Sequence, residues 1–76
     1  MTISVRFFAS LSEQLGVKAT TLETDAPLTI SDVWARVTDQ SPPDSLLCAR
    51  NHAYVAFDDP VEDGDEVAFF PPVNGG

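Results

Sequence analysis

The chain closes on Pro71-Pro72-Val73-Asn74-Gly75-Gly76, and this is the stretch whose residue types best support a chemistry. Two prolines cannot donate ladder hydrogen bonds, so a preceding strand must end there, and they favour a stiff extended exit. From Pro71 to Gly76 the backbone can reach roughly 20 Å. The last two residues carry no side chains, so the backbone can thread a passage too narrow for any other residue. The tip is a carboxylate, ionised at neutral pH and a poor acyl electrophile until another agent activates it. ATP-dependent adenylation by a second enzyme would make a mixed anhydride. A sulfur nucleophile could then displace the nucleotide and leave a thiocarboxylate. A chain built this way carries a group, and its partners supply the hard chemistry.

Other candidates for chemistry are fewer. Cys48 is the only cysteine, so no intrachain disulfide or thiol-rich metal site is expected. It lies in the apolar run Leu46-Leu47-Cys48-Ala49, where a free cysteine packs as a small hydrophobe. His52 is the only histidine and follows Asn51 between two strand-like runs, which makes it a turn residue rather than a general base. The acidic stretch Asp58-Asp59-Pro60-Val61-Glu62-Asp63-Gly64-Asp65-Glu66 does not have the spacing of a calcium loop. Its Pro60 and Gly64 suit turns, and no metal site is expected. The alternative to a carrier tail is a frayed terminus, in which Gly-Gly means nothing.

A single small domain has to position that tail. Seventy-six residues bury only about 60% of the surface that the unfolded chain exposes, so an enclosed active site is not expected. Twelve acidic residues against four basic ones give a formal charge of −8. That balance excludes phosphate-backbone binding to nucleic acid, opposes anionic membrane surfaces, and suits either a basic protein partner or solubility alone. With no signal-peptide pattern and no apolar run near the ~20 residues of a membrane helix, a cytoplasmic location is expected.

Ile3-Ser4-Val5-Arg6-Phe7 alternates as a half-buried strand, with Ile3, Val5 and Phe7 inward and Arg6 and Phe8 outward. Ser10-Leu11-Ser12-Glu13 reads as a capping box opening a short helix that Gly16 ends. Ala19 to Thr24 reads as a second strand. Thr29-Ile30-Ser31-Asp32 caps the main helix, whose stripe of Ile30, Val33, Trp34 and Val37 is core, and Ser41-Pro42-Pro43 is expected to stop it. Leu46–Arg50 and Ala53–Phe57 form a hairpin around Asn51-His52. Val67-Ala68-Phe69-Phe70 is the last strand, with Val67 and Phe69 inward. The result is an α+β domain over residues 1–70, a mixed five-stranded sheet packed on one main helix plus a short helix, followed by a flexible tail over 71–76. By the same alternation Phe8, Tyr54 and Phe70 fall outward. If the first, fourth and last strands adjoin, these three form an exposed aromatic docking patch at the base of the tail.

Phe69-Phe70-Pro71-Pro72-Val73-Asn74-Gly75-Gly76 resembles the C-terminal signature of the molybdopterin synthase small-subunit family. The likeness extends upstream through Asp63-Gly64-Asp65-Glu66-Val67-Ala68 and to Phe7-Phe8-Ala9. Asn51-His52 and the preceding Arg50 depart from the family's usual hairpin. The resemblance implies a ubiquitin-like β-grasp fold and a non-catalytic sulfur-carrier subunit in molybdenum cofactor biosynthesis. In that role Gly76, presented by Gly75, is adenylated, thiocarboxylated, and donates sulfur to cyclic pyranopterin monophosphate. The implied partners are the large synthase subunit, an ATP-dependent adenylating enzyme, and a sulfurtransferase or cysteine desulfurase. Phe8, Tyr54, Phe70, Pro71, Pro72, Val73 and Asn74 are the expected partner-binding residues. No cofactor is expected on the chain itself, ATP-Mg being used by the activating enzyme. Rival readings are a sulfur carrier for thiamine, cysteine or thionucleoside synthesis, a ubiquitin-like protein modifier, and a passive interaction module.

Overall fold

Alternation in the first strand sets the architecture. In β1 (Thr2–Phe7) Ile3, Val5 and Phe7 are buried while the residues between them are exposed, the pattern of a strand with one wet face. The structure, a computed structural model, describes residues 1–43 and 45–71. After β1 the chain forms α1 (Ser10–Leu15), β2 (Ala19–Glu23), α2 (Ile30–Val37), β3 (Leu47–Arg50), β4 (Ala53–Tyr54) and β5 (Glu66–Phe70). The five strands make one sheet in the order β2-β1-β5-β3-β4. β1 and β5 run parallel at its centre and every other pairing is antiparallel, so the sheet is mixed, as expected of a β-grasp domain. The Val5↔Val67 and Phe7↔Phe69 register puts the inward residues of both central strands side by side.

One face of this sheet is covered by the helices. Ile30, Val33 and Trp34 of α2 and Leu11 of α1 close over Ile3, Val5, Phe7, Val67 and Phe69. Phe69 is the hub of the aromatic packing. Its ring lies 5.0 Å from Trp34, 5.8 Å from Phe7 and 6.2 Å from Phe57, centroid to centroid. Such pairs add about 0.5–1.5 kcal/mol each beyond the area they bury. Trp34 is core, as its place in the apolar stripe implies, and its indole Nε1 donates to the Gln40 carbonyl at 2.8 Å.

Local signals decide some boundaries and lose others. α2 opens on the expected capping box: the Asp32 amide donates to Thr29 Oγ1, and the Thr29 amide donates to the Asp32 carboxylate. It ends earlier than expected, at Val37, before the prolines are reached. Thr38 is extended, and the indole bond to Gln40 together with the Gln40 amide on Thr38 Oγ1 folds the chain back. The expected capping box at Ser10 does not form. Ala9 is the N-cap of α1, no side chain caps it, and Ser10 is already helical. The reason is a tight turn in which the Leu11 amide donates to the Phe8 carbonyl, with Ala9 forced to φ 55° and ψ −140°, a region glycine ordinarily occupies. The Ser12 hydroxyl donates back to the Ala9 carbonyl instead of capping the helix end. Gly16 ends α1 in the left-handed region, as expected.

β2 stops one residue short of the expected Thr24, and the fourth strand is shorter than its sequence pattern, only Ala53–Tyr54. Its hairpin with β3 is a two-residue turn, Asn51 and His52 both at positive φ, so the Asn-His pair does adopt the geometry usually given to Asn-Gly. Asn51 also works as a staple. Its amide donates to the Glu66 carbonyl, its Nδ2 donates to Asp65 Oδ1, and its Oδ1 accepts the Glu66 amide. The start of β5 is thereby tied to the hairpin, which fixes the strand that leads to the tail.

A candidate docking face at the base of the tail

The face of the sheet turned away from the helices carries the candidate site. Phe8 continues the alternation of β1, its amide donating to the Phe69 carbonyl, so its ring leaves the core side and is 46% exposed. Phe70, last in β5, follows the same parity. The two rings meet edge-on at 6.5 Å. Tyr54 is 71% exposed and lies 5.6 Å from Phe70. The three aromatics singled out in the sequence are therefore brought together.

The route is different from the one expected. β4 does not adjoin β5, because β3 lies between them. Tyr54 still reaches Phe70 because the intervening positions are small. Ala49 of β3 pairs with Tyr54 on one side and with Ala68 of β5 on the other. Two methyl-sized side chains make a low floor, and the aromatics stand around it. The cleft has a volume of about 430 Å³ and is lined by these residues together with Arg6, His52 and Glu66.

Those last three form a polar end that the sequence reading missed. Arg6 Nε lies 3.3 Å from Glu66 Oε2, and His52 Nε2 lies 3.5 Å from Glu66 Oε1. Strand parity held the signal, since Arg6 shares a face with Phe8, and Glu66 with Ala68 and Phe70.

The other sequence candidates take structural roles. Cys48 is buried, its Sγ donates to the Val55 carbonyl at 3.2 Å, and burial raises the thiol above its ordinary range, with Asp59 adding to the effect. That is opposite to the shift a nucleophilic cysteine requires. His52 is a turn residue with an exposed ring. Asp65 is buried and spends its carboxylate on the Glu62 amide and Asn51, with Arg50 Nε at 3.8 Å. Among the described residues no group of His, Cys, Asp and Glu side chains could hold a metal ion. None of the described helices is long and apolar enough to cross a membrane.

Pro71 is half-buried where β5 ends. The remaining expected site residues, Pro72, Val73, Asn74, Gly75 and Gly76, lie outside the described residues. Sequence comparison does reach them. A family model described as ThiS family matches residues 5–76.

The chain belongs to the ThiS family.

Within that family it is 43% identical over 83 aligned residues to the molybdopterin synthase sulfur carrier subunit of Escherichia coli (strain K12), covering 97% of this chain and 99% of the relative. Among solved structures, SAMP1 from Haloferax volcanii superposes with a TM-score of 0.81 at 26% identity, covering all of both chains. A chain of the complex of subunits 1 and 2 of molybdopterin-converting factor from Helicobacter pylori 26695 superposes with a TM-score of 0.68 at 21% identity, again over both full chains. The ubiquitin-like β-grasp fold is thus common to this chain and to the structures it resembles.

Proposed function

We propose that this ThiS-family chain is the sulfur carrier subunit of molybdopterin synthase, a group carrier and not an enzyme in itself. The observation that carries this reading is the conjunction of full-length likeness to the Escherichia coli sulfur carrier subunit with an aromatic docking face beside the strand that runs into Pro71-Pro72-Val73-Asn74-Gly75-Gly76.

On this reading the Gly76 carboxylate attacks the α-phosphorus of ATP-Mg on an adenylating enzyme and releases pyrophosphate. A persulfide borne by a sulfurtransferase or cysteine desulfurase displaces AMP to give an acyl disulfide. A second thiol of that partner attacks the partner's own sulfur in this bond, closing a disulfide there and releasing the thiocarboxylate at Gly76. The large synthase subunit then takes the tail, and sulfur passes to cyclic pyranopterin monophosphate. Gly75 and Gly76 contribute slimness, and Pro71 and Pro72 hold the arm extended. Phe8, Tyr54 and Phe70 seat the large subunit. The carrier works in the cytoplasm, where its partners use ATP.

Incubation with ATP-Mg, the adenylating enzyme and a sulfur source, followed by intact-mass measurement, tests the reading. Exchange of one oxygen for one sulfur, mapped to Gly76 and lost on Gly76 deletion, is the expected result. A chain that stays unmodified under conditions that load a known carrier would sink it.

The likeness to SAMP1, the small archaeal modifier protein 1 of Haloferax volcanii, favours a second reading as a protein modifier. Isopeptide-linked conjugates of the chain in cell lysate would support it. Conjugates built chain upon chain could use only Lys18 or the N-terminus, because Lys18 is the sole lysine.

A further inference from the structure

The docking face has an electrostatic character that the chain as a whole does not. Over the full sequence acids outnumber bases and the formal charge is −8. Inside the cleft the charges balance, one guanidinium from Arg6 against one carboxylate from Glu66, with the His52 ring beside them. Arg6 is 55% exposed at its side chain, and its recorded contact to Glu66 is through Nε. Among the described residues no hydrogen bond occupies its two terminal nitrogens, the fork that matches a carboxylate in bidentate geometry. Arg6 is two residues before Phe8 on the same extended segment and pairs with Ala68 of the floor, so its backbone lies one strand repeat, roughly 7 Å, from that of Phe8.

We propose that Arg6 is a specificity-determining contact of this face. The large synthase subunit presents a carboxylate to the Arg6 guanidinium, about one strand repeat away from the apolar side chain it seats among Phe8, Tyr54 and Phe70. The inference rests on the reading that this face receives the large subunit, and adds the charge that the partner must carry there. Glu66 is the internal competitor. It holds the guanidinium upright in the free carrier and yields it when the partner carboxylate arrives, so that Arg6 is positioned in advance. A partner without the acid, or with a base in its place, meets a desolvated guanidinium and is disfavoured, which gives selectivity on top of the shape of the aromatic cleft.

Titration calorimetry of the carrier with the purified large subunit, at low and at physiological salt, separates the outcomes. Arg6→Glu weakens binding about tenfold and Arg6→Gln about threefold, and both flatten the salt dependence. Glu66→Gln, which removes the competitor, acts in the opposite direction and tightens binding about twofold. Thermal melting confirms that each variant is folded, Arg6 being a surface residue. Arg6 variants that bind within about twofold of the wild type, an Arg6→Glu variant that binds more tightly, or a Glu66→Gln variant that fails to tighten binding would each overturn the inference. A wild-type chain that does not bind the large subunit at all overturns the docking reading beneath it, whereas wild-type binding indifferent to Arg6 overturns this inference alone.

Discussion

Phe69 and Phe70 are neighbours in sequence and opposites in surroundings. Phe69 is fully buried and touches Phe7, Trp34 and Phe57, while Phe70 stands on the open face with Phe8 and Tyr54. The same side chain therefore does two different jobs one residue apart. Turned inward, it supplies the packing that a domain of this size needs. Turned outward, it gains little for the fold and joins the exposed aromatic face proposed to seat a partner. On the proposed reading, a strand lying on a helix layer separates stability from recognition by parity alone, and β5 carries both to Pro71.

Breaking the inner side has the largest expected effect. Phe69→Ala removes the aromatic hub and destabilises the domain by about 3–5 kcal/mol, read as a loss of denaturant midpoint. Little change there would mean that the core is not organised around Phe69. On the outer side, Phe70→Ala leaves the midpoint nearly unchanged yet weakens binding to the large subunit at least about tenfold, more than ~1.4 kcal/mol. A variant that melts early while binding normally would reverse the division between the two faces.

A smaller effect sharpens the comparison by touching the covering helix and neither aromatic. Thr29→Ala, which removes the hydroxyl of the α2 cap, costs about 1 kcal/mol of stability with no direct effect on docking. The cap also has a pH signature. The Thr29 amide, and after it the Thr29 hydroxyl, hold the Asp32 carboxyl below its ordinary range. A lowered folded value means that the contribution of Asp32 is fully present above the unfolded carboxylate value of about 3.9 and is lost as pH falls through the folded one. Melting curves of wild type and Asp32→Asn should therefore differ at neutral pH and converge in acid. Curves that stay equally separated below pH ~3 would show that the cap does not draw on the Asp32 charge.

Much of this was legible in the chain itself, for reasons that operate over a few residues. A period of two put Ile3, Val5, Phe7, Val67 and Phe69 inside and Phe8, Tyr54 and Phe70 outside, because a strand has only two faces. Thr29 and Asp32 cap α2 because their reciprocal bonds span a single turn, and Gly16 stops α1 because a left-handed residue is needed there. The C-terminal sequence, with the family likeness it carries, points to a carrier without any knowledge of the fold.

Pairings over long separations were decided by the tertiary structure. Nothing in the sequence of β1 or β5 specifies that they lie parallel, since that contact depends on every element between them closing over one core. The interposition of β3, bridged because Ala49 and Ala68 are small, is a fact of sheet order and cannot be read from the alternation of any one strand. The same holds where local signals failed. Ser10 and Glu13 have the spacing of a capping box, but the tight turn that follows Phe8, closed by the Leu11 amide on the Phe8 carbonyl, takes Ala9 to positive φ and makes it the cap. Pro42 and Pro43 could have ended α2, but the Trp34 indole, drawn to the Gln40 carbonyl as its ring enters the core, ends it first. Sequence settled which face each side chain takes, because that choice is local. Which faces meet was left to the packing of the whole chain, where the free energy of burial is shared among residues far apart in order.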